Sequence, residues 1–124
     1  MSISNSIKSA DFKTEKHVPT IHIISKEDNT YVIEVAVGKE VAHPNTTEHF
    51  IGYIDLYFQT SGAAISHLGR VEFLAHGEST QGANQGAAYT EPVAMFKCTL
   101  KQPGTLHAIS YCNIHGLWES KLDV

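Results

Sequence analysis

Residues 20–37 read TIHIISKEDNTYVIEVAV. Thr20–Ser25 and Thr30–Val37 are β-branched and alternate on a two-residue period, and between them lies a polar cluster, Lys26-Glu27-Asp28-Asn29. Such a pair predicts a β-hairpin. The same period recurs along the chain. FIGYIDLYF at 50–58 is a long aromatic and β-branched run, and GRVEFLAH at 69–76 alternates Val71, Phe73 and Ala75 against Arg70, Glu72, Leu74 and His76. VAMFKCTL at 93–100 and TLHAISY at 105–111 flank Lys101-Gln102-Pro103-Gly104, which reads as a second hairpin turn. No segment sustains a helical period. Six or seven short strands with polar turns predict an all-β antiparallel sandwich with Greek-key connections.

The length of 124 residues suits one domain over 1–124 with a single moderate core. A composition of 42% apolar and 18% charged residues is that of an ordinary globular protein. The formal charge of −4 argues against nucleic acid as a partner. No apolar run reaches the roughly 18 residues of a membrane span. The start, MSISNSIKSADFK, lacks the apolar core of a secretory signal, so the expected location is cytoplasmic. Two cysteines, Cys98 and Cys112, are too few for a disulfide scaffold. The one oddity is eight histidines.

Their positions divide them. His22, His76 and His107 fall within alternating strands and His67 in or beside a loop at 61–69, which favours structural roles. The others lie at strand ends or in loops, where a sandwich can gather residues. His17 sits in EKHVP at 15–19, His43 and His49 in AHPNTTEHF at 42–50, and His115 in SYCNIHGLWES at 110–120, three residues after Cys112. Each element alone is weak: a Cys-x-x-His pair fits accident, a zinc corner or two ligands of a redox-active metal. Together they assemble the soft and borderline donors that transition metals prefer. The long glycine-bearing loop at 77–92, GESTQGANQGAAYTEP, is unusual for a compact domain and suggests a role.

EKHVP, HPNTTEH and CNIHGLW, in that order, resemble the iron centre of the superoxide reductases, the neelaredoxin and desulfoferrodoxin family. GRVEFLAHGES and YTEP extend the resemblance over nearly the whole chain from about residue 10. It implies an immunoglobulin-like β-sandwich with a mononuclear iron in the loops at one end. His17, His43, His49 and His115 become four equatorial nitrogens and Cys112 the axial thiolate. Glu15 becomes the carboxylate of the sixth position in the oxidised state, and Lys16 the cation beside that position in the reduced state. The four-cysteine iron domain of desulfoferrodoxins has no counterpart among these cysteines. The resemblance is therefore to the one-iron form, re-reduced by a separate donor, typically rubredoxin, and often homotetrameric. Cys98 is expected to be a buried thiol.

The donor set suits the implied reaction. Four neutral imidazoles and one thiolate leave ferrous iron at net +1, and Lys16 adds a local positive target for superoxide despite the negative total. Backbone N–H groups after Cys112 are expected to bond its sulfur. A blue-copper carrier also sets Cys and His at one end of a sandwich, but needs a weak methionine ligand soon after the second histidine. Here Met1 and Met95 both precede Cys112. A structural zinc site would be overfilled by five donors, and a plain adhesion module leaves the histidines unexplained.

Overall fold

A computed structural model describes all 124 residues. It contains a short 3-10 turn at Ile3–Asn5 and seven strands: β1 (Thr20–Glu27), β2 (Thr30–Ala36), β3 (Ile51–Gln59), β4 (Ser66–Glu72), β5 (Val93–Thr99), β6 (Thr105–Cys112) and β7 (Gly116–Asp123). They form two antiparallel sheets, β1-β2-β5 and β4-β3-β6-β7. The all-β sandwich predicted by the two-residue period is present. No helix is long and apolar enough to cross a membrane.

The hairpin at 20–37 forms with a tighter turn than the polar cluster suggests. Glu27 pairs with Thr30, leaving Asp28 and Asn29 to reverse the chain. Asp28 takes φ +55°, a left-handed conformation that Asx side chains tolerate. The second predicted hairpin does not form. β5 pairs with β2, and β6 pairs with β3 and β7, so residues 100–104 carry the chain from one sheet to the other. Alternation reports that one strand face is buried, not which strand lies alongside. Stacked sheets are about 10 Å apart, well within the reach of five residues.

β4 also starts and stops earlier than 69–76. After Glu72 the chain leaves the ladder: the Phe73 N–H bonds the Gly52 carbonyl, and His76 makes an isolated bridge with Tyr89. β7 is a strand that the sequence reading missed. Its alternation is faint, with Trp118 its one buried apolar side chain.

One hydrophobic cluster fills the space between the sheets, built from Ile33 and Val35 of β2, Ile54 and Leu56 of β3, Leu106 and Ala108 of β6, and Phe73. Cys112 belongs to this cluster and is 0% exposed. The topology also fixes where the connections gather. Thr20 pairs with Ala36 and Ala36 with Val93, while Ile51 pairs with Cys112 and Cys112 with Gly116. The entry to β1, the exit of β2, the entries to β3 and β5 and the β6–β7 turn therefore share one end of the sandwich.

The outer face of the larger sheet holds a buried acid. Asp55 on β3 is 2% exposed. Its carboxylate accepts Arg70 Nε–H and Nη2–H at 2.9 and 2.8 Å and His67 Nε2 at 2.9 Å. Burial by itself would raise the Asp55 pKa, but the Arg70 and His67 bonds outweigh it and leave the carboxyl below its ordinary value. A depressed carboxyl stabilises the fold above its unfolded pKa, and that stability is lost as pH falls through the folded pKa. Asp55→Asn is expected to cost about 1–2 kcal/mol near neutrality, the lower range because Arg70 remains solvated. The loss should shrink only as pH falls below the ordinary carboxylate range and through the depressed folded pKa, where the parent carboxyl also protonates. Urea melts of both proteins between pH 2 and 8 check this, and a pH-independent difference contradicts it.

Candidate metal centre

Residues 15–19 enter β1 under restraint. Pro19 holds Val18 towards extended backbone, and His17, Val18 and Pro19 are all buried. Ser110 Oγ donates to the His17 carbonyl at 3.0 Å, and Ser120 Oγ donates to the Pro19 carbonyl. The His17 ring stacks on Trp118, with centroids 4.9 Å apart and planes 13° apart. Its Nδ1–H donates to Glu15 Oε1 at 2.6 Å. This bond fixes the tautomer and leaves the Nε2 lone pair facing the end of the sandwich.

The link from β2 to β3 carries the next two histidines. Gly38, at φ +84°, lets the chain fold so closely that a Cβ there would lie 2.8 Å from the His43 backbone nitrogen. His43 Nδ1–H donates to the Pro44 carbonyl at 2.6 Å. Its Nε2 is buried without a hydrogen-bond partner. The His49 segment closes on itself, the Thr46 N–H donating to the His49 carbonyl at 3.0 Å and the His49 N–H to Thr46 Oγ1 at 3.1 Å.

Cys112 is the last residue of β6, and residues 113–115 form the three-residue loop to β7. Gly116 closes it at φ +80°, as this hairpin class requires. The loop folds the His115 N–H back onto Cys112 Sγ at 3.4 Å, the backbone-to-sulfur bond expected from the sequence. Asn113 ties this loop to the histidine segment. Its Oδ1 accepts the Phe50 N–H at 2.9 Å and its Nδ2 donates to the Glu48 carbonyl at 2.9 Å, one bond on either side of His49.

These restraints bring one donor atom each from His17, His49, Cys112 and His115 within 4.8 Å of one another. His115 Nδ1 is 3.1 Å from His17 Nε2, 3.2 Å from His49 Nε2 and 3.7 Å from Cys112 Sγ. An imidazole nitrogen carries either one proton or one lone pair, so it cannot bond three partners at once. Adjacent ligands about 2.1 Å from a common ion lie about 3 Å apart, which is the nitrogen spacing seen here. His43 lies outside the tightest four, yet its ring is 4.8 Å from that of His17 and 4.7 Å from that of His49. With its lone buried Nε2, it is a fourth nitrogen, and a fifth donor, in need of a partner.

The electrostatics favour neutral, ligating imidazoles. Burial pushes His43 down to about 4. His17 and His49 are also lowered, chiefly by burial, with the neighbouring imidazoles and the Lys16 charge adding to it. Glu15 lies against His17. Its carboxylate is engaged with the ring and the backbone N–H of His17, and those bonds hold its pKa below the ordinary value. Cys98 is half-buried on β5, far along the strand from this end, and burial raises its thiol pKa. Trp118, Ser110 and Asn113 support the centre but carry no sequence signature of that role; the Cys-Asn-Ile-His spacing hints at Asn113 alone.

The donor set, fixed tautomers and orphaned nitrogen fit a transition metal held by imidazoles and one thiolate. The desulfoferrodoxin family model matches residues 9–121. A superoxide reductase of Pyrococcus furiosus is 53% identical over 121 residues, which are 97% of each chain. Neelaredoxin of Megalodesulfovibrio gigas is 47% identical, covering 97% of this chain and 95% of its own. The reduced form of Archaeoglobus fulgidus superoxide reductase superposes with a TM-score of 0.92 at 47% identity, covering 96% of this chain and 98% of that one. With fold, donor cluster and sequence in agreement over almost its whole length, the chain belongs to the desulfoferrodoxin family.

Proposed function

We propose that the chain is a superoxide reductase, converting superoxide to hydrogen peroxide at one iron held by His17, His43, His49, His115 and Cys112. The convergence of three imidazole nitrogens and a buried thiol at one end of the sandwich, with the unpartnered His43 Nε2 beside them, carries this reading. When bound, the iron supplies the single electron that superoxide takes up. The protein's own residues do the rest. Glu15 and Pro44 orient two rings through Nδ1, Asn113 sets His49 against the cysteine turn, and the His115 N–H bonds the sulfur. Lys16 draws the anion in. The single domain spans 1–124, works in the cytoplasm as a homotetramer, and is re-reduced by an external donor of the rubredoxin type.

The test is to reduce the iron-loaded protein and mix it with a pulse of superoxide. Near-stoichiometric peroxide per iron oxidised, without oxygen, is the expected result, and oxygen evolution at half the superoxide consumed means dismutation instead. A copper carrier is disfavoured by the histidine count and by Met95, which is exposed on β5. A colourless zinc-loaded protein would support a purely structural metal.

Glu15 would have two duties, orienting His17 through Nδ1 and supplying a carboxylate to the oxidised iron. Glu15→Ala should therefore speed ferrous iron release by roughly tenfold and change the ferric spectrum. A ferric spectrum identical to the parent removes the ligand role, and an unchanged release rate removes the orienting one.

A further inference from the structure

The long loop at 77–92 contributes no donor atom to the metal cluster, yet it lies against the segment that carries two of the histidines. We propose that Asn84 in this loop is a positioning residue, which locks the 42–49 segment so that His43 and His49 are held ready for the metal. The proposal rests on the metal reading above.

Asn84 is half-buried, with exposed residues on both sides. Its φ is +63°, a left-handed conformation that Asn adopts more readily than other side chains. From there its amide makes a clamp. Oδ1 accepts the Thr47 N–H at 2.7 Å, and Nδ2 donates to both carboxylate oxygens of Glu48 at 3.0 Å. Asn45 adds a further tie, its Nδ2 donating to the Thr90 carbonyl at 3.2 Å. The segment between His43 and His49 is thus bonded to the loop at three residues, Asn45, Thr47 and Glu48. Asn113 holds the same segment from its other side, so Asn84 and Asn113 fix His49 between them.

The loop is built to present Asn84. Tyr89 Oη donates to the Asn84 carbonyl at 3.1 Å. The Tyr89 ring lies so close over Gly77 that a Cβ there would come within 2.4 Å of the hydroxyl. The Gly77 N–H donates to the Ala88 carbonyl at 3.1 Å, and the Gly86 N–H to the Gly77 carbonyl at 2.9 Å, closing the base of the loop. Asparagine alone meets all the needs of the position: an acceptor, a donor and tolerance of positive φ. Aspartate would face Glu48 with like charge. Glycine would keep the backbone and lose the clamp.

The full-length protein loaded with ferrous iron and challenged with excess bipyridyl reports how firmly the metal is held. Asn84→Gly should release iron roughly tenfold faster than the parent, in the range seen when groups supporting metal ligands are removed. Its iron-free melting temperature should stay close to the parent's, so that the gain in melting temperature on adding iron shrinks. Asn84→Asp should release iron at least as fast. Adding Glu48→Gln to it should restore slow release, because the glutamine amide then donates to the new carboxylate. Parental release from Asn84→Gly, failure of the double variant to recover, or an equal fall in melting temperature with and without iron overturns the proposal. A parent protein that takes up no iron refutes the metal reading itself, and the positioning role falls with it.

Discussion

Cys112→Ser protein reconstituted with ferrous iron and then oxidised should lack the thiolate-to-metal charge-transfer absorption and lose roughly 100-fold or more of its superoxide reductase activity. Sulfur is the only anionic donor in the cluster. A serine hydroxyl stays protonated near neutrality and is a harder, shorter group, so the donor set loses its one negative charge and its electron-rich atom together. The position magnifies the effect. Cys112 is fully buried, and its sulfur takes the His115 N–H at 3.4 Å, a bond whose strength depends on thiolate charge. Folding is the competing explanation for any loss. A hydroxyl placed in the core cluster costs about 1–3 kcal/mol, which a stable sandwich survives. The iron-free melting curve of the variant measures that cost separately. A charge-transfer band that persists in Cys112→Ser would exclude Cys112 as the thiolate ligand.

Lys16→Glu should slow the bimolecular reaction with superoxide by about tenfold at low ionic strength, while leaving iron content and visible spectrum unchanged. Lys16 is half-buried between Glu15 and His17, and its charge reaches His17, His43 and His49. A chain with formal charge −4 repels a small anion at long range, so attraction must come from groups close to the site. Reversing Lys16 changes the local charge by two. The deficit should shrink as salt rises, since the screening length falls to about 3 Å at 1 M. Stopped-flow traces at several ionic strengths check this, and a parental rate in low salt removes Lys16 from steering.

The fold class and the grouping of His17, His49, Cys112 and His115 were legible in the sequence for different reasons. Period-two alternation at 20–37, 50–58 and 93–111 reports a half-buried ribbon wherever it occurs. His17, His43, His49, Cys112 and His115 stood out because each lies at the edge of such a ribbon, where a polar side chain is not needed for packing. Partnership was not legible. The 100–104 connection looked like a hairpin and proved to cross between sheets, because a short polar turn spans the roughly 5 Å to a paired neighbour and the roughly 10 Å to a strand stacked across the core equally well. β7 escaped notice because its inner face needed little more than Trp118 to bury it.

The supporting residues were beyond reach for a related reason. Asn84 is 36 residues from Glu48, and Asn113 is 65 residues from it. An asparagine in a loop has the same local appearance whether it faces water or clamps a backbone. The same holds for Glu15, whose neighbours in sequence do not disclose that its carboxylate lies on His17. Sequence alone thus determined which atoms were available to bind a metal and that they would stand outside the strand interiors, since both follow from residue type and local period. Tertiary structure alone decided how those atoms are aimed, because aim is set by bonds between segments far apart in the chain, and such bonds exist only once the two sheets have closed on their shared core.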